Sequence, residues 1–345
     1  MANLEAAREL IRGSLVIDGC QFAEADFPGY DKLVSKDIVS AISLTVPHSG
    51  GGFREACRAI GSLYQQAATP GSRLAIAREV EDLRRAKAEG KTAIILAFQH
   101  WEPVENSLAL LHVFRQLGVR VIQLAYNEAG YVGCGCVEKP DGGLTRFGRR
   151  AVTEMNRIGI VIDLSHVGDK TCWDTIEASA APVAFTHIVP RRRAPNPRNK
   201  DDDLIKAVAK GGGVIGLSPW GPICWLGPGH PRPTLEDFVG HFEYLVDLAG
   251  YDHVSFGSDI SVDGSSDPIG TQEQADRYPE VVANYNREIG PTFKVRYPVG
   301  LYGATNLVEL VDKLLERGHR SADLQKFLGG NLLKLFETTW GGVAR

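Results

Sequence analysis

The sequence predicts a single (β/α)8 barrel, the TIM-barrel fold, and three observations favour it. The chain has 345 residues, a length that α/β barrels commonly reach as one domain. Strand-like and helix-like segments alternate along it, and eight segments are predicted as strands. Three of these runs end at His166, His187 and Asp259, which are residues able to bind a metal. Because such barrels place their active sites at the carboxyl ends of the strands, the three side chains are expected to share one rim.

The first half of the chain alternates between two patterns. Apolar, β-branched runs of strand length predict strands, and segments of 3.6-residue apolar period predict helices. Gly118 follows one of these helices and is a typical helix-ending residue. In chain order the elements are helix 2–12, strand 15–18, strand 41–46, helices 53–66 and 72–89, strand 92–98, helix 104–117 and strand 119–124.

The second half continues the alternation. Three aspartates open one helix at its positive end, and Thr234 is predicted to cap another. The elements are helix 144–157, strand 160–164, helix 170–180, strand 182–186, helix 201–210, strand 213–217, helix 234–248, strand 253–256 and closing helices 305–317, 321–327 and 331–336. A doubly wound sheet is the competing fold, but the first strand is not followed by the glycine-rich turn that binds phosphates.

One long segment, residues 263–301, follows the last predicted strand. It is long for a connection in a barrel and has little apolar periodicity. We therefore expect residues 1–345 to form one domain in which this segment lies over the rim as a lid.

Composition excludes several functional classes. The formal net charge is −4 and no basic stripe is present, which argues against a nucleic-acid partner. The apolar runs are too short to span a membrane. The N-terminus has no basic region followed by an apolar core, so no secretory signal is predicted and the cytoplasm is the expected location. Six scattered cysteines argue against a disulfide framework, and the close pair Cys134 and Cys136 is interpreted as a loop feature.

Residue chemistry alone indicates a metal site. Neutral imidazoles are common zinc ligands, and His166 and His187 at the ends of consecutive strands can share one ion. The alternative is a buried, hydrogen-bonded histidine pair. Asp259 can accept a proton from a metal-bound water or bind the ion, and its alternative role is to stabilise a turn or cap a helix. The three together favour a metal-dependent hydrolytic site.

Several longer motifs resemble one enzyme family. They are GLTRFG at 143–148, EMNRIG at 154–159, DLSHV at 163–167, PRN at 197–199, GGVIG at 212–216 and HVSFGSD at 253–259. These stretches are similar to the membrane (renal) dipeptidase family, peptidase family M19, and the similarity extends over most of the chain. The resemblance implies a barrel of the amidohydrolase superfamily that cleaves dipeptides at a two-zinc site. It also suggests a homodimer.

The resemblance assigns roles to four residues. His166 and His187 match the two histidines of one zinc position, and Asp259 matches the aspartate near the nucleophilic water. Arg198 matches the arginine that binds the substrate carboxylate, a role for which a planar guanidinium is suited. The alternative for Arg198 is a surface ion pair within the surrounding basic run.

The chain departs from the family at the other zinc position. Where the family has His-x-Asp after the first strand, this chain has Cys20, Gln21 and Phe22. The glutamate that bridges both ions is replaced by Gln99, which is followed by His100. Two dications about 3.5–4 Å apart repel each other and need anionic ligands, so a dinuclear site is not expected here.

A third departure concerns the residue that contacts the reacting oxygen, where the family has a histidine and this chain has Tyr126 followed by Asn127. We therefore expect one zinc ion on His166 and His187, with Asp259, Cys20 or His100 completing its ligands. Tyr126 is expected to stabilise the developing oxyanion. The substrate pocket is predicted to include Gln99, Asn127 and Phe22.

The predicted function is hydrolysis of an amide-type bond in a small substrate that bears a carboxylate. Two alternatives remain open on the sequence. In one, no metal binds, and Cys20, His100, Tyr126 or Asp259 performs other chemistry. In the other, the pocket binds a ligand without turnover.

Overall fold

A computed structural model of the protein describes residues 2–22, 38–47, 51–261, 272 and 275–342. The helices and strands alternate as predicted. In chain order they are α1 (Ala2–Gly13), β1 (Ile17–Phe22), β2 (Ala41–Thr45), α2 (Phe53–Ala68), β3 (Leu74–Ile76), α3 (Val80–Ala88), β4 (Thr92–Phe98), α4 (Leu108–Leu117), β5 (Val119–Gln123), α5 (Arg146–Ile158), β6 (Val161–Asp163), α6 (Asp169–Ala178), β7 (Ala184–Ile188), α7 (Asp202–Lys210), β8 (Val214–Leu217), α8 (Gly221–Cys224), α9 (Leu235–Ala249), β9 (Val254–Phe256), β10 (Ile260–Ser261), α10 (Pro279–Glu288), α11 (Leu307–Glu316), α12 (Ser321–Gln325) and α13 (Asn331–Thr339).

The strands form a parallel barrel, which confirms the predicted fold. The hydrogen-bonded order is β10-β1-β2-β4-β5-β6-β7-β8-β9, and β3 pairs with β4 outside this path. The eight strands predicted from the sequence correspond to the barrel strands β1, β2 and β4 to β9. The short strand β10 continues from β9 and pairs with β1, where Gln21 lies opposite Ile260.

The hydrogen bonds that join the first and last strands of the barrel also involve predicted site residues. The Ser258 backbone N–H donates to Oδ1 of Asp18 at 2.7 Å, and the Asp259 N–H donates to the Cys20 carbonyl at 2.8 Å. Because β1 pairs with β10, it extends to Phe22 rather than ending near Asp18 as predicted. Cys20 therefore lies within the strand at the seam of the barrel.

Two apolar clusters hold the barrel together. One lies between the strands and the surrounding helices, and it includes Ile94, Leu96 and Phe98 of β4. The alternate β4 residues Ala93 and Ile95 belong to a second cluster, made largely of residues from the inner faces of the strands. Residues of α13 pack into this second cluster, so the C-terminal helix helps to fill the barrel. The alternation follows from the two-residue period of a strand.

The predicted helix cap at Thr234 is confirmed. Its hydroxyl accepts from the Asp237 N–H at 3.3 Å, and the Asp237 carboxylate accepts from the Thr234 N–H at 2.8 Å. This reciprocal pair fixes the start of α9, as expected for a capping box.

The prediction of one helix over residues 72–89 is wrong. Residues Leu74–Ile76 form β3, and the helix begins only at Val80. Parallel pairing of β3 with β4 overrides the helical composition of this stretch. The carboxylate of Asp82, which accepts from the Arg78 and Glu79 N–H groups at 2.7 and 2.9 Å, marks the true helix start.

Predicted helix 104–117 is also shorter than expected. Residues Glu102–Val104 form a 3-10 turn, and α4 starts at Leu108. Glu105 adopts a left-handed backbone conformation with φ of 53°, which interrupts any continuous helix at this point.

The predicted lid falls partly outside the described residues, which omit 262–271 and 273–274. The described part of this segment contains α10 and the 3-10 turn Phe293–Val295. It lies against the rim, since the Tyr297 hydroxyl donates to the Asp259 carbonyl at 2.7 Å and the Tyr278 ring lies 6.0 Å from that of Tyr126. Among the described helices, none has both the length and the apolar composition that crossing a bilayer requires.

Candidate metal centre

Five polar side chains predicted from the sequence lie at the carboxyl ends of barrel strands. Cys20 lies near the end of β1, Gln99 follows β4, His166 follows β6, His187 lies in β7, and Asp259 follows β9. All five are buried or nearly so, with exposures from 0% for His187 to 9% for Asp259. The parallel topology brings their ends to one rim, as expected for a barrel enzyme.

The two histidines face each other through their Nε2 atoms, which lie 3.0 Å apart. The other ring nitrogen, Nδ1, has a hydrogen-bond partner of its own in each histidine. The Nδ1 of His166 lies 2.8 Å from Oδ1 of Asn127, and the Nδ1 of His187 lies 2.7 Å from Oγ1 of Thr186. The Thr186 hydroxyl donates to Oδ2 of Asp163 at 2.8 Å, so its oxygen is left to accept from His187.

These contacts favour the tautomer of each ring that carries its proton on Nδ1. Burial and the positive charge of Arg198 hold the pKa of His166 and the pKa of His187 well below their usual range, so both imidazoles are neutral. A neutral imidazole carries one N–H, and in this tautomer each ring donates it from Nδ1. Both Nε2 lone pairs therefore point into the same small space, the arrangement that metal-binding histidines adopt.

Cys20 and Asp259 lie on the other side of His187. The amide of Gln99 donates to Sγ of Cys20 at 2.8 Å. An oxygen of Asp259 lies 3.9 Å from Sγ of Cys20 and 4.0 Å from Nε2 of His187. Among the described residues, Cys20, His187 and Asp259 form one group in which every candidate ligand atom lies within 4.8 Å of the others.

The electrostatics of this group favour a bound cation. Burial raises the pKa of Asp259 to about 6, although Arg198 opposes the shift. Burial and the neighbouring carboxylates of Asp259, Asp163 and Asp18 raise the pKa of the Cys20 thiol well above its usual range. A positive ion would reverse both effects, because it stabilises thiolate and carboxylate together.

Among the residues that the structure describes, the donor set fits one zinc ion and does not fit a pair. Two nitrogens bound to a tetrahedral zinc ion lie about 3.3 Å apart, close to the separation of the histidine nitrogens. A second ion would need the anionic ligands that Phe22 and Gln99 cannot supply. The Gln99 amide nitrogen faces Cys20, so this side chain presents a donor to the site rather than a bridging oxygen.

Arg198 is buried rather than paired at the surface, which rules out its alternative interpretation. It is 1% exposed and donates to the carbonyls of Ser165 and, at 3.0 Å, His187. These carbonyls belong to the segments that carry the two site histidines. Arg198 thus braces both segments, and its guanidinium has further N–H groups beyond those that make these two contacts.

Tyr126 and Asn127 both contact His166. The ring of Tyr126 stacks on the imidazole, with centroids 4.1 Å apart and an interplanar angle of 22°. Asn127, predicted to line the substrate pocket, instead orients His166 from behind. Its backbone has φ of 48°, a conformation that asparagine tolerates better than most residues. Gly135 packs against this backbone, where a Cβ would lie 2.0 Å from the Asn127 carbonyl carbon.

His100, predicted as a possible ligand, is not in the group formed by Cys20, His187 and Asp259. Its Nδ1 lies 2.7 Å from Oε2 of Glu102, in a geometry that does not make a hydrogen bond. The remaining pocket candidate, Phe22, ends β1 and is partly buried.

Sequence reasoning missed the residues that support the site. Asp163 accepts from the Ser165 hydroxyl at 2.6 Å and from the Thr186 N–H at 3.0 Å, and it thereby orders the segments of both histidines. The signal was available, because Asp163 ends its strand three residues before His166 and Thr186 directly precedes His187. Tyr297, which contacts Asp259, had no such signal because it lies 38 residues farther along the chain.

Comparison with known proteins gives a consistent picture. A family model described as membrane dipeptidase (peptidase family M19) matches residues 51–290. Dipeptidase tcpJ of Claviceps purpurea (strain 20.1) is 35% identical over 214 residues, which cover 61% of this chain and 49% of that protein. Dipeptidase 3 of Rattus norvegicus is 30% identical over 254 residues, which cover 71% of this chain and 45% of that protein. The chain spans about half the length of these curated relatives.

Two solved structures are similar over nearly the whole chain. An amidohydrolase from Pseudomonas aeruginosa has a TM-score of 0.84 at 30% identity, with 97% of this chain and 99% of that chain covered. A metallo peptidase from Rhodobacter sphaeroides, liganded with a phosphinate mimic of the dipeptide L-Ala-D-Ala, has a TM-score of 0.76 at 21% identity. That comparison covers 95% of this chain and 100% of the other, and it supports the fold alone.

Proposed function

This chain belongs to the membrane dipeptidase family, peptidase family M19, and from that premise we propose that it hydrolyses an amide-type bond in a small, carboxylate-bearing substrate. The proposal rests on one observation above all: the converging Nε2 atoms of His166 and His187, 3.0 Å apart, with Asp259 beside them. The reaction class follows from the family, and these side chains form the site at which the reaction is proposed to occur.

The proposed site holds one zinc ion rather than two. His187 provides a nitrogen ligand, and His166, Cys20 and Asp259 lie close enough for others to come from among them. When bound in such a site with an open position, zinc polarises a carbonyl and activates a water molecule. The positions that hold a second ion elsewhere in the family are occupied by Phe22 and Gln99.

Asp259 is proposed to move the proton. Burial raises its pKa to about 6 without an ion, and a bound cation would lower the pKa again, so the carboxylate would be ionised near neutral pH and able to take a proton from water and return it to a leaving amine. The hydrogen bond from Tyr297 to its carbonyl and that from its own N–H to Cys20 hold the Asp259 backbone in place.

Two further side chains are proposed to bind the substrate. Tyr126 lies on the face of His166 and is proposed to stabilise negative charge developing on the scissile carbonyl oxygen. Arg198 is proposed to bind the substrate carboxylate through N–H groups that do not contact the backbone.

Metal analysis and a hydrolysis assay test the proposal together. Purified protein reconstituted with zinc should contain about one ion per chain and release amino acids from at least some dipeptides. Chelation should abolish hydrolysis, and zinc should restore it. Two ions per chain would contradict the proposed site. Full activity of the chelated protein would favour metal-free chemistry, and tight binding of dipeptides without turnover would favour a binding protein.

A further inference from the structure

We propose that the ion is bound by Cys20, His187 and Asp259, with the Cys20 sulfur as a direct ligand, and that His166 lies outside its ligand set. This inference rests on the proposed function, because it names which side chains hold the metal of that same site. It differs from the histidine-pair arrangement that the family resemblance implies.

The distances are compatible with this triad. Sulfur and oxygen ligands of one tetrahedral zinc ion lie about 3.5 Å apart, and nitrogen and oxygen ligands about 3.3 Å apart. The corresponding separations are 3.9 Å from Cys20 to Asp259 and 4.0 Å from His187 to Asp259. Each contact needs to shorten by less than about 1 Å, which side-chain rotation alone can supply.

His187 is a ligand both in the histidine pair and in the triad with Cys20 and Asp259. Its single Nε2 lone pair can bind only one ion, so a metal held with Cys20 and Asp259 excludes one centred between the histidines. His166 lies outside the group of mutually close ligand atoms, although its Nε2 is 3.0 Å from that of His187. In the proposed site His166 therefore stands beside the ligands, where its lone pair can accept a hydrogen bond.

Charge also favours Cys20. A thiolate and a carboxylate together balance the two positive charges of the ion, whereas two neutral imidazoles with one anionic ligand balance only one. Gln99 donates its amide N–H to the sulfur at 2.8 Å, a contact that stabilises a thiolate. Metal uptake then replaces the thiol proton, which passes to solvent.

The sulfur ligand predicts the preferred metals. Thiolates favour zinc, cobalt and cadmium, whereas sites built from oxygen ligands favour magnesium and manganese. Three protein ligands leave a fourth position open for water or substrate, as in other catalytic zinc sites.

Cobalt(II) titration of the metal-free, full-length protein tests this assignment. A cobalt–thiolate bond gives a near-ultraviolet charge-transfer band that does not depend on hydrolysis. We expect the band in the wild-type protein, its loss in Cys20→Ser, and its retention in Cys57→Ser, a matched control in α2 away from the site. His166→Gln should keep the band and change cobalt affinity less than about 3-fold, whereas His187→Gln should weaken affinity about 10- to 100-fold.

X-ray absorption on the zinc-loaded wild type supplies a second readout that needs no variant. One sulfur scatterer at about 2.3 Å is expected. A zinc shell of nitrogen and oxygen alone would overturn the assignment, as would a cobalt complex without the band. Hydrolysis by a cobalt protein that lacks the band would leave the proposed function intact and exclude only Cys20 as a metal ligand. A clear band without turnover of any dipeptide would support the ligand set and contradict the function.

Discussion

Asn127 accepts a hydrogen bond from His166, with Oδ1 2.8 Å from Nδ1, and it does so from a left-handed backbone position with φ of 48°. Asn127 thus combines a left-handed backbone with a buried hydrogen-bond acceptor, and it is 4% exposed. Asn127 therefore acts through His166, as a residue that sets the orientation and tautomer of the ring.

Replacing Asn127 tests this positioning role. Asn127→Gly keeps the left-handed backbone but removes the acceptor, so we expect kcat to fall about 10- to 100-fold. Asn127→Asp keeps an acceptor and adds a charge, which should retain most of the activity and raise the pKa of His166. The pH–rate profile of this variant should shift accordingly, and NMR titration of the ring would detect the change directly. Equal activity of the glycine variant and the wild type would exclude the role.

Tyr126 offers a test of oxyanion stabilisation. Tyr126→Phe preserves the stacked ring on His166 but removes the hydroxyl, and we expect kcat to fall about 100-fold with little change in KM. Tyr131→Phe is a matched control, because Tyr131 is 56% exposed. If the two variants show the same kinetics, the hydroxyl of Tyr126 has no part in the reaction.

Arg296 is a buried cation whose three side-chain nitrogens have no hydrogen-bond partner among the described residues, and it is 1% exposed. Burial lowers its pKa, as expected for a charge removed from water. We predict that Arg296→Met raises the free energy of unfolding by about 1–4 kcal/mol, because a buried charge is replaced by an apolar chain of similar length. Urea denaturation measures the change.

A second arginine in the same region provides the control for Arg296. Arg232 donates to the carbonyls of Tyr297 and Lys294, each at 2.9 Å. Arg232→Met should therefore lower stability, opposite in sign to Arg296→Met. A loss of stability in both variants would mean that Arg296 has a stabilising role.

His241 predicts a pH dependence of stability. Its Nε2 lies 2.8 Å from the Cys224 carbonyl in a fully buried position, and burial lowers its pKa to about 4. Between the ordinary histidine pKa and this value the unfolded chain binds a proton that the folded protein does not. Stability is therefore present above the unfolded pKa and is lost as the pH falls.

The size of this effect follows from linkage. From about pH 7 to about pH 4.5 the contribution of His241 should decrease by about 2 kcal/mol. His241→Gln should remove this dependence, so the wild-type and variant stabilities, measured by urea denaturation of the metal-free protein, should converge or cross as the pH falls. Parallel curves would show that His241 does not titrate between the two states.

Strand ends were the part of the fold that the sequence revealed best. His187 and Asp259 each follow a run of apolar residues, and parallel pairing brings such residues to one rim whatever the intervening loops do. Residues 72–89 were mispredicted because β3 exists only through its pairing with β4. Local composition contains no information about that partner.

The site was predictable as a set of residues but not as an arrangement. The histidines could be identified, yet the position of Cys20 depends on where β1 ends, which its pairing with β10 decides. Arg198 lies in a basic run that resembles a surface segment, and only the tertiary structure shows that it is buried. Asn127 was predicted to line the pocket. Its actual partner, His166, lies 39 positions farther along the chain, so the sequence could not show the hydrogen bond between them.

The seam between β1 and β10 has a consequence for how the protein matures. Cys20 and Asp259 are separated by 239 positions and meet only where the barrel closes. A chain still emerging from the ribosome, or one truncated before its last strand, contains both histidines but lacks Asp259 beside Cys20. If Cys20 and Asp259 bind the ion as proposed, unfinished chains can neither hold it at this centre nor catalyse the proposed hydrolysis.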